Sequence, residues 1–297
     1  MSETNPTVSR RLLAEELRKL REARGITMED VAARLEWSRF KLLRLENGHA
    51  KRPYIHDINL LCDVYGVDDP RVREALLTLA RDAGKRGWWA AYDDVLKGAY
   101  VGLEAGASQI RTFQLSVIPG LLQTPEYAAA LVRAAMVRDP LEIKRRVEAR
   151  MARQRILERD NPPMLWAVID EMALLRSPGD PEVHRRQLRR LIDTGPLEHV
   201  KIQILKLSEG FHPGLSGQFV ILDFPGDVEK SVVHLETATD GLYLEEPEER
   251  KRYSLAWQYL CASALSTDAS IAYLSTLIDN LGGSRGSVPR RMAQEQT

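Results

Sequence analysis

The chain's 297 residues carry 42 Lys and Arg against 42 Asp and Glu, so formal net charge is zero and bulk basicity does not mark a nucleic-acid partner. That length accommodates two domains of ordinary size, and the only cysteines, Cys62 and Cys261, form neither a CxxC pair nor a disulfide framework and suit a reducing cytoplasm. No apolar h-region follows Met1 and no apolar run approaches the ~20 residues that span a bilayer, so a cytoplasmic protein with no membrane partner is expected.

Leu12, Leu13, Leu17 and Leu20 share one face of a helix predicted over 9–24. Gly25 ends it, and Thr27 can N-cap the next, with Asp30 completing an imperfect capping box. Val31, Ala32 and Leu35 form that helix's apolar stripe. After a break at Glu36-Trp37, Ser38 is a second N-cap candidate, Leu42 and Leu45 bury a third helix, and Asn47-Gly48 stops it. Helices over 54–66 and 70–83 follow, the latter with Pro70 in its first turn, where a missing N–H costs nothing.

This head of five helices contains a helix-turn-helix over 25–53. Arg39, Phe40, Lys41, Leu43 and Arg44 fall off the packed face of the third helix, whose N-terminus is free to meet base edges while caps and flanking backbone hold phosphates. From Ser38 to Arg52 the charges are Arg39, Lys41, Arg44, Lys51 and Arg52 against Glu46 alone, a basic patch on a neutral protein. A helical hairpin can be scaffold alone. Here the cap spacing, the tight turn and the Lys51-Arg52 pair occur together, and double-stranded DNA is the expected partner.

Gly84–Gly87 breaks the pattern, and the boundary is placed there: 1–84 binds DNA, 85–282 is a second domain, and 283–297 is a tail too polar to bury a core. Trp88, Trp89 and Tyr92 line a ligand pocket or pack the linker onto the second domain. Helices are expected over 125–136, 140–159, 181–193, from Pro247 to about Leu265, and over 268–281. Strands are expected over 164–170, 199–207, 218–224 and 231–236, all rich in β-branched residues. Fold class is therefore α+β: an all-α head, then a mixed sheet flanked by helices.

Residues 18–53 resemble the DNA-binding domain of phage-repressor-type (Xre-family) regulators. LENG (45–48), KRP (51–53) and Arg21, four residues before Gly25, carry the likeness. It implies an Arg21–Glu46 ion pair bracing the recognition helix. Base reading is implied for Arg39, Phe40 and Arg44, and DNA-backbone contact for Met28, Ser38, Lys41, Asn47, Lys51 and Arg52. Three positions depart from the pattern: Met28 replaces a phosphate-binding glutamine, Phe40 and Leu43 are apolar where polar residues are usual, and Glu36 replaces a turn glycine. Phe40 can meet a thymine methyl, both side chains can be covered by another protein, or both can tuck against the fourth helix.

The remainder resembles an actinobacterial group in which such a head is fused to a DUF5753-type domain of unassigned chemistry. YVGLEAGA (100–107), VIPGLLQTPEYAAAL (117–131), RMARQRIL (150–157), VIDEMALLR (168–176), GQFVILDF (217–224) and VVHLE (232–236) carry it in family order. A transcriptional regulator is implied, repressor or antitoxin-like, often encoded beside a small partner protein.

Other clusters are weighed against plainer roles. Arginines over 142–159 interleave with glutamates, either a self-paired solvated face or an anion or acidic-partner site at Arg150, Arg153 and Gln154. Asp170-Glu171 follows an apolar strand, but no second catalytic group is positioned by motif, so Glu171 and Glu104 are expected to cap or to pair with arginines. His184, His199, His212 and His234 show no ligand spacing, and no P-loop, GxSxG or HExxH occurs. No enzymatic activity, cofactor or metal is expected. Glu245–Glu249 suit a helix N-terminus. The combined expectation is a homodimeric DNA-binding regulator, its second domain serving dimerisation and a small protein partner, with a small-molecule ligand as the alternative.

Overall fold

The computed structural model describes residues 5–96, 99–224, 227–236 and 241–283, and among them the chain is α+β. The tail expected over 283–297 lies outside the described residues from 284 onward. Two compact units meet in sequence between Ala107 and Ser108.

In the first unit, α1 (Pro6–Ala23), α2 (Met28–Arg34), α3 (Arg39–Glu46), α4 (Ile55–Tyr65) and α5 (Pro70–Ala83) are the five expected helices. Local chemistry sets their starts. Asn5 accepts from the backbone N–H of Thr7 and Val8 at 2.9 and 3.0 Å with Pro6 in the first turn, so α1 begins ahead of residue 9. Thr27 and Asp30 complete their capping box, Asp30 N–H donating to Thr27 Oγ1 at 3.1 Å and Thr27 N–H to Asp30 Oδ2 at 3.3 Å. Ser38 Oγ accepts the Lys41 N–H at 3.2 Å and so caps α3. Beyond α3, Gly48 turns at φ +68, beside the Arg10 carbonyl of α1.

Leu13, Leu17, Val31, Leu42, Ile58 and Leu61 from α1 to α4 meet in one core and are fully buried. Each such side chain contributes about 1.5–3 kcal/mol over its exposed state. The turn between α2 and α3 takes a left-handed residue at Glu36, φ +54, where glycine would pay no steric cost. As a compact unit it continues past Gly84 to Ala107, because α6 (Tyr100–Gly106) packs on α1. Gly102 allows that approach, since a Cβ there would collide with Thr7 Oγ1. Trp88 and its neighbours Trp89 and Tyr92 pack edge-to-face in a short 3-10 helix of this unit.

The second unit is a mixed sheet flanked by helices. β1 (Gln109–Gln114), β2 (Met164–Asp170), β3 (Val200–Leu205), β4 (Phe219–Phe224), β5 (Asp227–Glu236) and β6 (Gly241–Leu244) run in the order β3-β2-β1-β4-β5-β6. β1, β2 and β3 are mutually parallel, and β4, β5 and β6 are added antiparallel. The parallel steps are crossed by α7 (Pro125–Ala134) with α8 (Pro140–Gln154), and by α9 (Glu171–Leu175) with α10 (Pro181–Thr194). α11 (Pro247–Ser263) and α12 (Thr267–Gly283) follow the sheet. Every residue of β4 is buried, the pattern of a strand covered on both faces. Phe113, Val168, Phe219, Ile221, Trp257 and Leu260 pack one core between sheet and α11. Glu248 and Glu249 occupy the first turn of α11, where its dipole favours negative charge.

Candidate nucleic-acid interface

A buried charge holds α3 from below. Glu46, in its last turn, is 0% exposed, and Arg21 Nε–H on α1 donates to both carboxylate oxygens at 2.9 and 3.0 Å. The same guanidinium donates through Nη1 to the Ile26 carbonyl at 3.1 Å, fixing the turn into α2. Tyr65 of α4 donates its hydroxyl to Glu46 Oε1 at 2.9 Å, and burial, then the neighbouring carboxylate, drive its pKa well above the ordinary phenol value. Arg18 Nη2 donates to the Glu46 carbonyl and to Asn47 Oδ1 at 2.8 and 3.0 Å. α1, α3 and α4 thus close on one carboxylate. Arg18 sits one turn from Arg21 and was findable by spacing; Tyr65 lies nineteen positions from Glu46 and carries no such signal.

Above this clamp the sequence-assigned residues separate into two groups. Ser38, Arg39, Phe40, Leu43, Arg44, Asn47, Lys51 and Arg52 are exposed together on α3 and the segment after it. Phe40 is 66% exposed and Leu43 37%, so neither tucks against α4. The Arg44 guanidinium stands 6.0 Å from the Phe40 ring centroid. Two cations are engaged within the protein: Arg39 Nε lies 3.0 Å from Glu29 Oε1, and Lys41 Nζ lies 2.8 Å from Asp57 Oδ1 and 3.8 Å from the Trp37 ring centroid. Glu29, Asp57 and Trp37 are partners that sequence reading did not supply. The Met28 side chain is partly buried against the core and carries no hydrogen-bond donor, while its main-chain N–H stands at the start of α2.

In the second unit, Arg150 and Gln154 of the expected anion or partner site make bonds within the protein. Gln154 is buried and donates to the carbonyls of Gly120 and Gln123 at 2.9 and 2.7 Å, while Arg150 Nη1 donates to Gln123 Oε1 at 2.7 Å. Gln123 in turn donates to the Ile118 carbonyl at 2.7 Å. These residues pin the 118–124 connector, whose turn-rich backbone cannot satisfy itself. Arg153 lies beside them at Gly120.

A further polar cluster stands at the carboxyl ends of β2 and β3. Glu171 binds Lys206 and the Tyr273 hydroxyl and accepts the Leu207 N–H at 2.8 Å. Of the two expected roles, capping is seen in the Leu207 N–H at the start of a 3-10 helix, and the pairing is with lysine in place of arginine. Burial raises its pKa, but the bonds from Lys206, Tyr273 and Leu207 outweigh that and leave it below the ordinary carboxylate value. Glu104 accepts the Tyr100 hydroxyl at 2.9 Å. Asp170 caps α9 through the Met172 N–H at 2.8 Å, and His212 Nε2 lies 3.4 Å from its other oxygen. His212 Nδ1 is buried with no hydrogen-bond partner. Among the described residues no three His, Cys, Asp or Glu stand together as a metal site, and no helix is long and apolar enough to cross a membrane. Both cysteines are free thiols, and burial pushes Cys261 up to about 11.

The clamped, outward-facing α3 defines a helix-turn-helix protein, and residues 12–76 match the family described as helix-turn-helix domain. It is a DNA-binding regulator by that domain. Residues 98–276 match the domain of unknown function DUF5753, and the chain belongs to that family. No curated protein and no solved structure matches the chain.

Proposed function

We propose that the protein is a sequence-specific transcriptional regulator, a repressor or antitoxin-like switch, that binds double-stranded DNA as a homodimer in the cytoplasm. Its second unit holds the dimer and takes up a small protein partner; no catalytic role is assigned to it. The observation that carries the reading is α3. Its apolar side and its buried Glu46 are fixed to α1 and α4, while Arg39, Phe40, Leu43 and Arg44 are exposed beside Lys51 and Arg52. One head makes a small interface. Two heads on one dimer read half-sites about 34 Å apart and multiply specificity.

The test is binding of the full-length protein to its own upstream duplex at several salt concentrations, with and without the small protein encoded beside it. Tight, sequence-selective binding that changes on adding that protein is the expected result. No binding at low salt removes the reading, and a monomer by light scattering at micromolar concentration removes the dimer. A small-molecule sensor is the second reading. His212, its Nε2 facing Asp170 and its Nδ1 an orphan, favours it, because the ring lies at the carboxyl end of parallel strands, where open sheets take ligands. Binding indifferent to the small protein would move the reading there.

A further inference from the structure

The chemistry left exposed on α3 narrows what it can read. Of its outward side chains, Arg39 and Lys41 are already engaged by Glu29 and Asp57. Arg44 is exposed and lies against the Phe40 ring. Between these cations sit two apolar side chains, Phe40 and Leu43, 66% and 37% exposed. They stand three residues apart, so they share one side of the helix and are separated by about 4.5 Å along its axis. The bases of unmodified DNA offer an apolar side chain only one matching group in the major groove, the C5-methyl of thymine. A partner protein would suit Phe40 as well. The flanking Arg39, Arg44, Lys51 and Arg52, all exposed, suit a polyanion.

We infer that Phe40 and Leu43 read the methyl groups of two thymines at neighbouring base-pair steps, about 3.4 Å apart along the duplex. The inference rests on the DNA-binding reading above and names the base feature that the site selects. Arg44, beside Phe40, supplies the polar half of the same readout, its fork fitting guanine O6 and N7.

The experiment is enrichment of random-sequence duplexes on the full-length protein, followed by deoxyuridine for thymidine exchange, at single positions and then at neighbouring pairs, in the enriched duplex. Uracil keeps every hydrogen-bonding group of thymine and lacks only the methyl. Losing one methyl contact is expected to weaken binding about fourfold, and losing both about fifteenfold. Phe40→Ala is expected to abolish the thymine–uracil difference at one of those positions and to weaken binding to the enriched duplex at least as much as the loss of that methyl does. Because Phe40 is exposed, the variant is expected to keep the wild-type unfolding midpoint. Specific binding that changes less than twofold on every uracil exchange overturns the methyl readout and leaves the DNA-binding reading standing. So does a Phe40→Ala protein that still tells thymine from uracil everywhere. Failure to enrich any sequence overturns both.

Discussion

Each unit buries one carboxylate against a cation and a tyrosine, and the two solutions differ in stiffness. Glu46 has Arg21 and Tyr65; Glu171 has Lys206 and Tyr273. In the head the arginine is planar, 11% exposed, and spends donors on Glu46 and on the Ile26 carbonyl together. In the second unit the lysine side chain is 25% exposed, a point charge packed 3.5 Å from the Tyr273 ring centroid. A guanidinium fixes direction at several atoms, whereas an ammonium on a flexible stem can turn to water. The element that must present side chains to an outside surface therefore carries the rigid version.

Removing each carboxylate separates the two cases. Glu46→Ala strands a nearly buried Arg21 and a buried Tyr65 hydroxyl, and a loss of about 3–5 kcal/mol is expected in chemical denaturation of the full chain. Glu171→Ala should cost about 1–3 kcal/mol, because Lys206 can rehydrate. Equal losses would show that arginine rigidity is not what distinguishes the sites. The acid limb carries a second signature. Glu171 has a folded pKa below its unfolded value, so its contribution is complete above the ordinary carboxylate range and is lost as pH falls through the folded value. Glu171→Gln should accordingly flatten stability against pH on the acid side and leave the neutral-to-alkaline limb unchanged.

Function should part company with stability two residues before Glu46, on the outward side of the same helix. Arg44→Ala is expected to leave the unfolding midpoint alone, to cost about 1–3 kcal/mol on the preferred duplex, and to relax preference at one base pair; Lys51→Ala should weaken all duplexes alike. Equal losses on preferred and random DNA for Arg44→Ala would place it among the phosphate contacts. The smallest effect is at the turn. Glu36→Gly should raise stability by about 1 kcal/mol by relieving the left-handed backbone at φ +54, read as a higher denaturant midpoint.

Local signals were the legible ones. Thr27, Ser38 and Pro70 mark three helix starts, and Arg21 with LENG points to the clamp through the family resemblance. Four elements escaped, each for a non-local reason. β1 is central in the sheet, yet Arg111 interrupts its apolar pattern; the explanation is Asp223, 112 positions away, which accepts two bonds from that guanidinium at 2.8 and 2.9 Å. α6 reads as a loop because of Gly102 and Gly106, both set close against side chains at the start of α1. α9 is a single turn begun by Asp170, and β6 is a short edge strand defined only by its pairing to β5. The arginine-rich motif at 150–154 is legible in the sequence, whereas the bonds of Arg150 and Gln154 to the protein's own connector, about 30 positions away, are not.

The Arg39–Glu29 and Lys41–Asp57 pairs mean that the head brings some of its own counterions to the duplex. A cation that reaches DNA already neutralised by a protein carboxylate displaces no condensed sodium unless that carboxylate is given up. Of the three cations assigned to the DNA backbone, Lys41, Lys51 and Arg52, only Lys51 and Arg52 then contribute ion release, among the described residues. At about 0.9 of a logarithmic unit per released ion, the fall of log K with log[salt] is set near 1.8 per head instead of 2.7. Affinity built this way decays slowly with ionic strength, which transfers discrimination from charge to the base edges.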